Sequence, residues 1–259
     1  VSGVAVHRVV EGPDDGPVVV FSNSIGSDHR MWDPQVAPLV ERGYRVVRYD
    51  TRGHGASPVP DGPYELADLG GDVLALLDDL GVERAHLVGL SLGGMTGMWL
   101  GVNAAERLRS LTLCCTSAKL GPPQMWADRA KVVRAEGTGA IAEAGVGRWV
   151  TPSYAQSHPD EVAFLRAMVA DCPDEGYAAC CGVIERMDQL ADLPKITTPT
   201  LVISGADDPA TPPDTHGRLV AEGIPGARFE VVASAAHLGN YEQPAEFTRL
   251  ILEQITEAV

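Results

Sequence analysis

The chain has 259 residues, 45% hydrophobic and 21% charged, an ordinary globular composition that suits one α/β domain with an insertion as well as two small domains. Its 20 Lys and Arg against 35 Asp and Glu give a formal charge of −15, which argues against nucleic acid or an anionic membrane as partner. An anionic substrate would need a local cation to overcome that field.

The five cysteines include two adjacent pairs and no CxxC, which predicts reduced, buried thiols in a cytoplasmic protein and argues against a zinc site. No apolar run reaches the roughly 18 residues of a membrane span. The first residues show no basic-then-apolar signal pattern.

In chain order, Val4–Val10 and Val18–Ser22 read as strands separated by the turn-forming run Gly12-Pro13-Asp14-Asp15-Gly16-Pro17. A helix is predicted over Trp32–Arg42 and a strand over Tyr44–Tyr49. Leu66, Leu69, Val73, Leu76, Leu77 and Leu80 fall at helical spacing and stop at Gly81. The strand Ala85–Val88 leads into a turn and a further helix, and Ser110–Cys115 is a near-continuous apolar strand of the kind covered on both faces.

Between 117 and 190 the rhythm changes to helical patterns rich in Ala, Arg and Glu, with no strong strand. Strands resume at Thr200–Ser204 and Arg228–Val232, with helices near Asp214–Gly223 and at Ala245–Glu257. This alternation predicts an α/β fold: a mostly parallel, doubly wound sheet whose core is 1–116 plus 191–259, with 117–190 a helical cap.

The run Gly89-Leu90-Ser91-Leu92-Gly93 follows a strand and opens a helix, the context that lifts a serine hydroxyl onto a tight turn as a nucleophile. Serine needs a base oriented by a carboxylate. Of the seven histidines, His237 lies in a small-residue loop just past a strand, where α/β sheets place active sites. His86, inside a strand, reads as packed. Asp207 and Asp208 both follow the strand Thr200–Ser204 and both qualify by position as the acid; one of them then serves the turn. An oxyanion would be met by the backbone N–H of Leu92 and, from the loop after Val18–Ser22, that of Ile25.

These residues resemble the α/β-hydrolase superfamily over essentially the whole chain. Asp50-Thr51-Arg52-Gly53-His54-Gly55-Ala56-Ser57 is similar to its D-x-R-G-x-G-x-S loop, and Gly205-x-x-Asp208-x-x-x-Pro212 to its acid motif, which favours Asp208. Gly239, Asn240, Glu242 and Pro244 after His237 fit its histidine loop. Asn23-Ser24 stand where the superfamily usually has His-Gly. With the 21–28 run, Met31-Trp32, Ser91–Met95 and the 208–213 loop, they resemble the 3-oxoadipate enol-lactonase branch.

That resemblance implies hydrolysis of 3-oxoadipate enol-lactone to 3-oxoadipate in protocatechuate and catechol catabolism. The route is an acyl-enzyme on Ser91, with His237 as base and Asp208 behind it, and neither metal nor organic cofactor. The partner is a small-molecule lactone, with room for a homo-oligomer. Because such a substrate carries a free carboxylate, a cationic partner is expected. Arg129, Lys131, Arg134 and Arg148 are candidates, with Trp126 and Trp149 as walls. Arg52 is expected to tie its own loop to neighbouring backbone or carboxylates. The alternatives are a general carboxylesterase or a cofactor-free haloperoxidase or perhydrolase of the same fold. A more distant one is a non-catalytic, ligand-binding relative.

Overall fold

The computed structural model describes residues 3–258. Seven strands form one sheet in the order β1-β3-β2-β4-β5-β6-β7. They are β1 (Arg8–Glu11), β2 (Val18–Ser22), β3 (Arg45–Tyr49), β4 (Ala85–Leu90), β5 (Leu108–Cys114), β6 (Thr200–Gly205) and β7 (Arg228–Val232). Only β1 runs antiparallel to its neighbour.

Strand residues alternate between two buried faces. Val20, Val47, Leu87, Leu111 and Leu113 meet the helices α2 (Leu66–Asp79) and α3 (Leu92–Asn103) through Leu69, Val73, Met95 and Met98. Val19, Phe21, Val46, Val88 and Leu90 meet α1 (Asp33–Val40) and α11 (Pro244–Glu257) through Leu39, Phe247 and Ile251. Burial on both sides is why these strands read as continuous apolar runs rather than alternating ones.

The strand expected over Val4–Val10 is shortened to β1. The Val4 N–H donates to Asp72 Oδ1 and the His7 N–H to Ser57 Oγ, so loop side chains take backbone groups that a ladder would have used. The helix expected from Trp32 is preceded by a 3-10 turn, His29–Trp32, capped by Asp28, whose Oδ1 accepts from the Arg30 N–H.

Between β5 and β6 stand five helices: α4 (Pro123–Glu136), α5 (Gly139–Trp149), α6 (Pro152–Ser157), α7 (Pro159–Ala170) and α8 (Asp174–Arg186). Short helices α9 (Gly217–Gly223) and α10 (Gly239–Glu242) complete the fold. Helix α8 meets the core backbone to backbone. A Cβ on Gly176 would lie 2.0 Å from the Gly53 carbonyl oxygen, and one on Gly53 would lie 2.5 Å from Gly176 Cα. Its next residue, Tyr177, packs its ring on Gly26. Among the described residues no helix is long and apolar enough to cross a membrane. All five cysteines are free and buried.

Candidate active site

Ser91 sits between the end of β4 and the first residue of α3 with φ 56° and ψ −113°. A non-glycine residue held at positive φ costs on the order of 1–2 kcal/mol. Its neighbours hold it there: the Ser91 N–H donates to Cys114 O at 3.0 Å, and Thr116 Oγ1 donates to Ser91 O at 2.7 Å. Glycine is required on either side. A Cβ on Gly89 would lie 2.2 Å from Gly93 O, and one on Gly93 would lie 2.1 Å from Ser22 O.

His237 and Asp208 reach the same edge of the sheet from the loops after β7 and β6. His237 Nδ1 donates to Asp208 Oδ2 at 2.9 Å, which fixes the tautomer and leaves Nε2 as an acceptor. Asp208 also accepts from Thr211 Oγ1 at 2.7 Å and from the N–H groups of Ala210 and Thr211. Burial alone would push the Asp208 carboxyl up. The His237 ring and the Thr211 donors outweigh it and hold the carboxyl below the ordinary carboxylate value. Asp207 is exposed, and its backbone N–H serves the turn by donating to Ala235 O.

In the loop after β2, the N–H groups on either side of Ile25 are occupied. The Ser24 N–H donates to Met31 Sδ and the Gly26 N–H to His54 Nε2 at 2.9 Å. Between them, the Ile25 N–H has no acceptor among the described residues, and neither does that of Leu92 at the start of α3. Asn23 Nδ2 donates to Tyr49 O, and Asn23 O accepts from the Gly93 N–H, so this loop is bonded to both β3 and the serine turn.

Ser91, His237 and Ile25 line a cavity of about 380 Å³ whose other wall is the helical insertion, including Trp126, Arg129, Arg148 and Trp149. A larger surface groove, about 680 Å³ between α1 and α11, contains none of these residues. The Arg129 guanidinium lies over the Trp126 ring at 4.8 Å. Neither Arg129 nor Arg148 has a carboxylate partner among the described residues, whereas most other arginines do. Burial, and then the like charge of Arg129, lower the pKa of Arg148.

Arg134 is not in the cavity. It is exposed and paired with Glu175 through two bonds of 2.7 and 2.8 Å. Lys131 is likewise exposed, beside Asp128. The reason is the turn of α4, which buries Trp126, Ala130 and Val133 and leaves positions 131 and 134 on the solvent side. Arg52 forms a buried two-bond pair with Asp72, 2.6 Å on each arm.

His216 also lines the cavity, a place that the sequence analysis does not assign to it. Ser117 Oγ donates to the Lys119 carbonyl at 2.7 Å, so toward His216 Nδ1, 2.8 Å away, it must accept. The His216 proton is therefore on Nδ1, and Nε2 is left as a second acceptor. Its place eight residues beyond Asp208, on the same loop past β6, was the available signal.

The chain belongs to the alpha/beta hydrolase family, whose model matches residues 19–250, and it is a hydrolase acting on ester bonds. It is 40% identical to 3-oxoadipate enol-lactonase 2 of Acinetobacter baylyi, over 96% of this chain and 92% of that one. The crystal structure of the enol-lactonase from Burkholderia xenovorans LB400 superposes with a TM-score of 0.94 at 42% identity, covering 97% of this chain and 96% of that one. A protein of Variovorax paradoxus named as a carbamate hydrolase, RutD, is 32% identical over 96% of this chain and 95% of its own length.

Proposed function

We propose that this chain hydrolyses 3-oxoadipate enol-lactone to 3-oxoadipate, as a step of aromatic catabolism in the cytoplasm. The observation that carries the reading is the pair Arg129 and Arg148, facing the cavity of Ser91 and His237 with no protein carboxylate between them. Two guanidinium groups side by side are mutually unfavourable until an anion joins them. The carboxylate of the lactone is such an anion, and a simple ester offers none.

In this reading His237 Nε2 takes the Ser91 proton as Oγ attacks the lactone carbonyl. The N–H groups of Ile25 and Leu92 receive the developing oxyanion. The ring C–O bond breaks, and the enolate oxygen leaves with the proton from His237. The enol remains attached through its own acyl chain until His237 activates water to release it. Asp208 stabilises the imidazolium in both halves. Opening to the enol and its conversion to the ketone need no redox partner.

The test is steady-state turnover of the enol-lactone by the wild type, Ser91→Ala, Arg129→Met and Arg148→Met, each run alongside p-nitrophenyl acetate. Expected are loss of both activities in Ser91→Ala and a selective rise of KM for the lactone in the arginine variants. Equal losses on both substrates in the arginine variants, or turnover of a carbamate or a simple ester far above that of the lactone, would overturn the assignment.

A further inference from the structure

We propose that His7, His29 and Asp50 form a binding site for one divalent transition-metal ion of the zinc class, separate from the catalytic cavity. The three residues come from different parts of the chain: the segment before β1, the 3-10 turn after the Ile25 loop, and the residue that follows β3. None of them lines the cavity of Ser91.

Their donor atoms already converge. His29 Nδ1 lies 2.8 Å from Asp50 Oδ1, His7 Nδ1 lies 3.0 Å from Asp50 Oδ2, and one ligand atom from each residue falls within 4.8 Å of the others. Zinc binds imidazole nitrogen and carboxylate oxygen at about 2.0–2.2 Å, so two ligands on one ion stand about 3 Å apart across a right angle and slightly further in a tetrahedron. The observed nitrogen–oxygen separations match the right-angle spacing, and a tetrahedral ion would require the two rings to draw back from the carboxylate by about half an ångström. The ion would take the place now held by the protons shared between each Nδ1 and the carboxylate, with each neutral imidazole carrying its proton on Nε2 instead.

The carboxylate is also held in place, as a ligand must be. Asp50 Oδ1 accepts from the His29 N–H at 2.8 Å and Oδ2 from the Ala56 N–H at 2.9 Å. Asp50 is buried while both rings are partly exposed, which gives the ion a path in. A cavity of about 280 Å³ beside the site, lined by His29, Asp50, Asp28 and Asp171, has room for water as the remaining ligands. The nearby cations are already compensated: Arg48 by Glu11 and Asp33, Arg30 by Asp28. The cysteine spacing argued against a thiolate site; this one is built of nitrogen and oxygen, with imidazole and carboxylate both suited to zinc. A bound ion would cross-link three segments and stiffen the turn that follows Ile25, acting on stability rather than on the chemistry.

The experiment is zinc titration of the chelator-treated full chain by calorimetry and thermal shift, with cobalt(II) absorption as a spectroscopic probe. Expected are one equivalent bound, a rise in Tm, and visible bands of a nitrogen-ligated cobalt complex. His7→Ala and His29→Ala should each weaken binding at least about tenfold, the lower end of the loss seen when even a supporting partner of a metal ligand is removed. The two together should abolish the shift in Tm while esterase activity and circular dichroism report an intact fold. Absence of heat and of any Tm shift at millimolar zinc would overturn the site. So would wild-type affinity in the double variant, which would place the ion elsewhere.

Discussion

Lowering the pH from about 7 to about 5 should weaken the fold by about 2 kcal/mol through His54 alone, and His54→Gln should remove that share. His54 is fully buried, its Nε2 accepts from the Gly26 N–H, and its Nδ1 donates to Arg52 O. Burial is the main cause that lowers its pKa from 6.5 to about 4. The unfolded chain takes up this proton as the pH falls through 6.5, whereas the folded chain resists until about 4. Over that window the unfolded state binds more protons, so stability present above 6.5 is lost on acidification, reaching about 3 kcal/mol by pH 4.

Glutamine carries an acceptor at similar reach and no titratable ring, so it can keep the Gly26 bond without the pH term. Urea denaturation of the wild type and His54→Gln at both pH values measures the difference. His86, also lowered by burial, adds a loss of the same sign to both proteins. His29, raised chiefly by its bond to Asp50, contributes stability present below 6.5 and lost as the pH climbs past its folded value. Both effects cancel in the comparison. An identical pH 7-to-5 loss in the two proteins would refute the reasoning.

Thr211→Val should cut kcat about tenfold with little change in KM, because it removes one buried hydroxyl donor to Asp208, worth about 1.4 kcal/mol, and lets that carboxyl relax upward; steady-state kinetics across pH checks both effects. Arg52→Met should destabilise the fold by about 3–5 kcal/mol in equilibrium unfolding, since it strands Asp72 as an unpaired buried carboxylate. Gly176→Ala should cost about 1–3 kcal/mol, or several degrees of Tm by calorimetry, because its Cβ would collide with the Gly53 carbonyl.

Where local pattern and burial agreed, the sequence was easy to read. Leu66–Leu80 differs by one residue from the observed α2, because a single buried apolar stripe and a following glycine define it. The turn around Ser91 was legible because its glycines are dictated by backbone contacts at 2.1–2.2 Å, which only one residue type relieves. Arg134 was misplaced for the opposite reason. Met125, Trp126, Ala130, Val132 and Val133 do not mark one clean face of α4, so the cationic residues around them could not be sorted into inward and outward. The bonds that shorten β1, the setting of His216, and the meeting of His7 and His29 on Asp50 all join residues far apart in the chain, and no local spacing encodes them.

The paired glycines at 53 and 176 divide the helical insertion into a part that is keyed and a part that is free to vary. With no atoms to spare between the two backbones, α8 has one seating on the core, and it brings Tyr177 onto the Ile25–Gly26 turn along with it. It is therefore a fixed wall rather than a swinging door. The stretch of cavity wall that carries Arg129 and Arg148 belongs instead to α4 and α5, where no glycine is pressed against the core as Gly176 is and the backbone tie is one bond at the end of α5, from the Leu238 N–H to Trp149 O at 2.7 Å. A graft that exchanges α4 and α5 while retaining α8 would change what the cavity selects and leave the serine turn and its donors undisturbed.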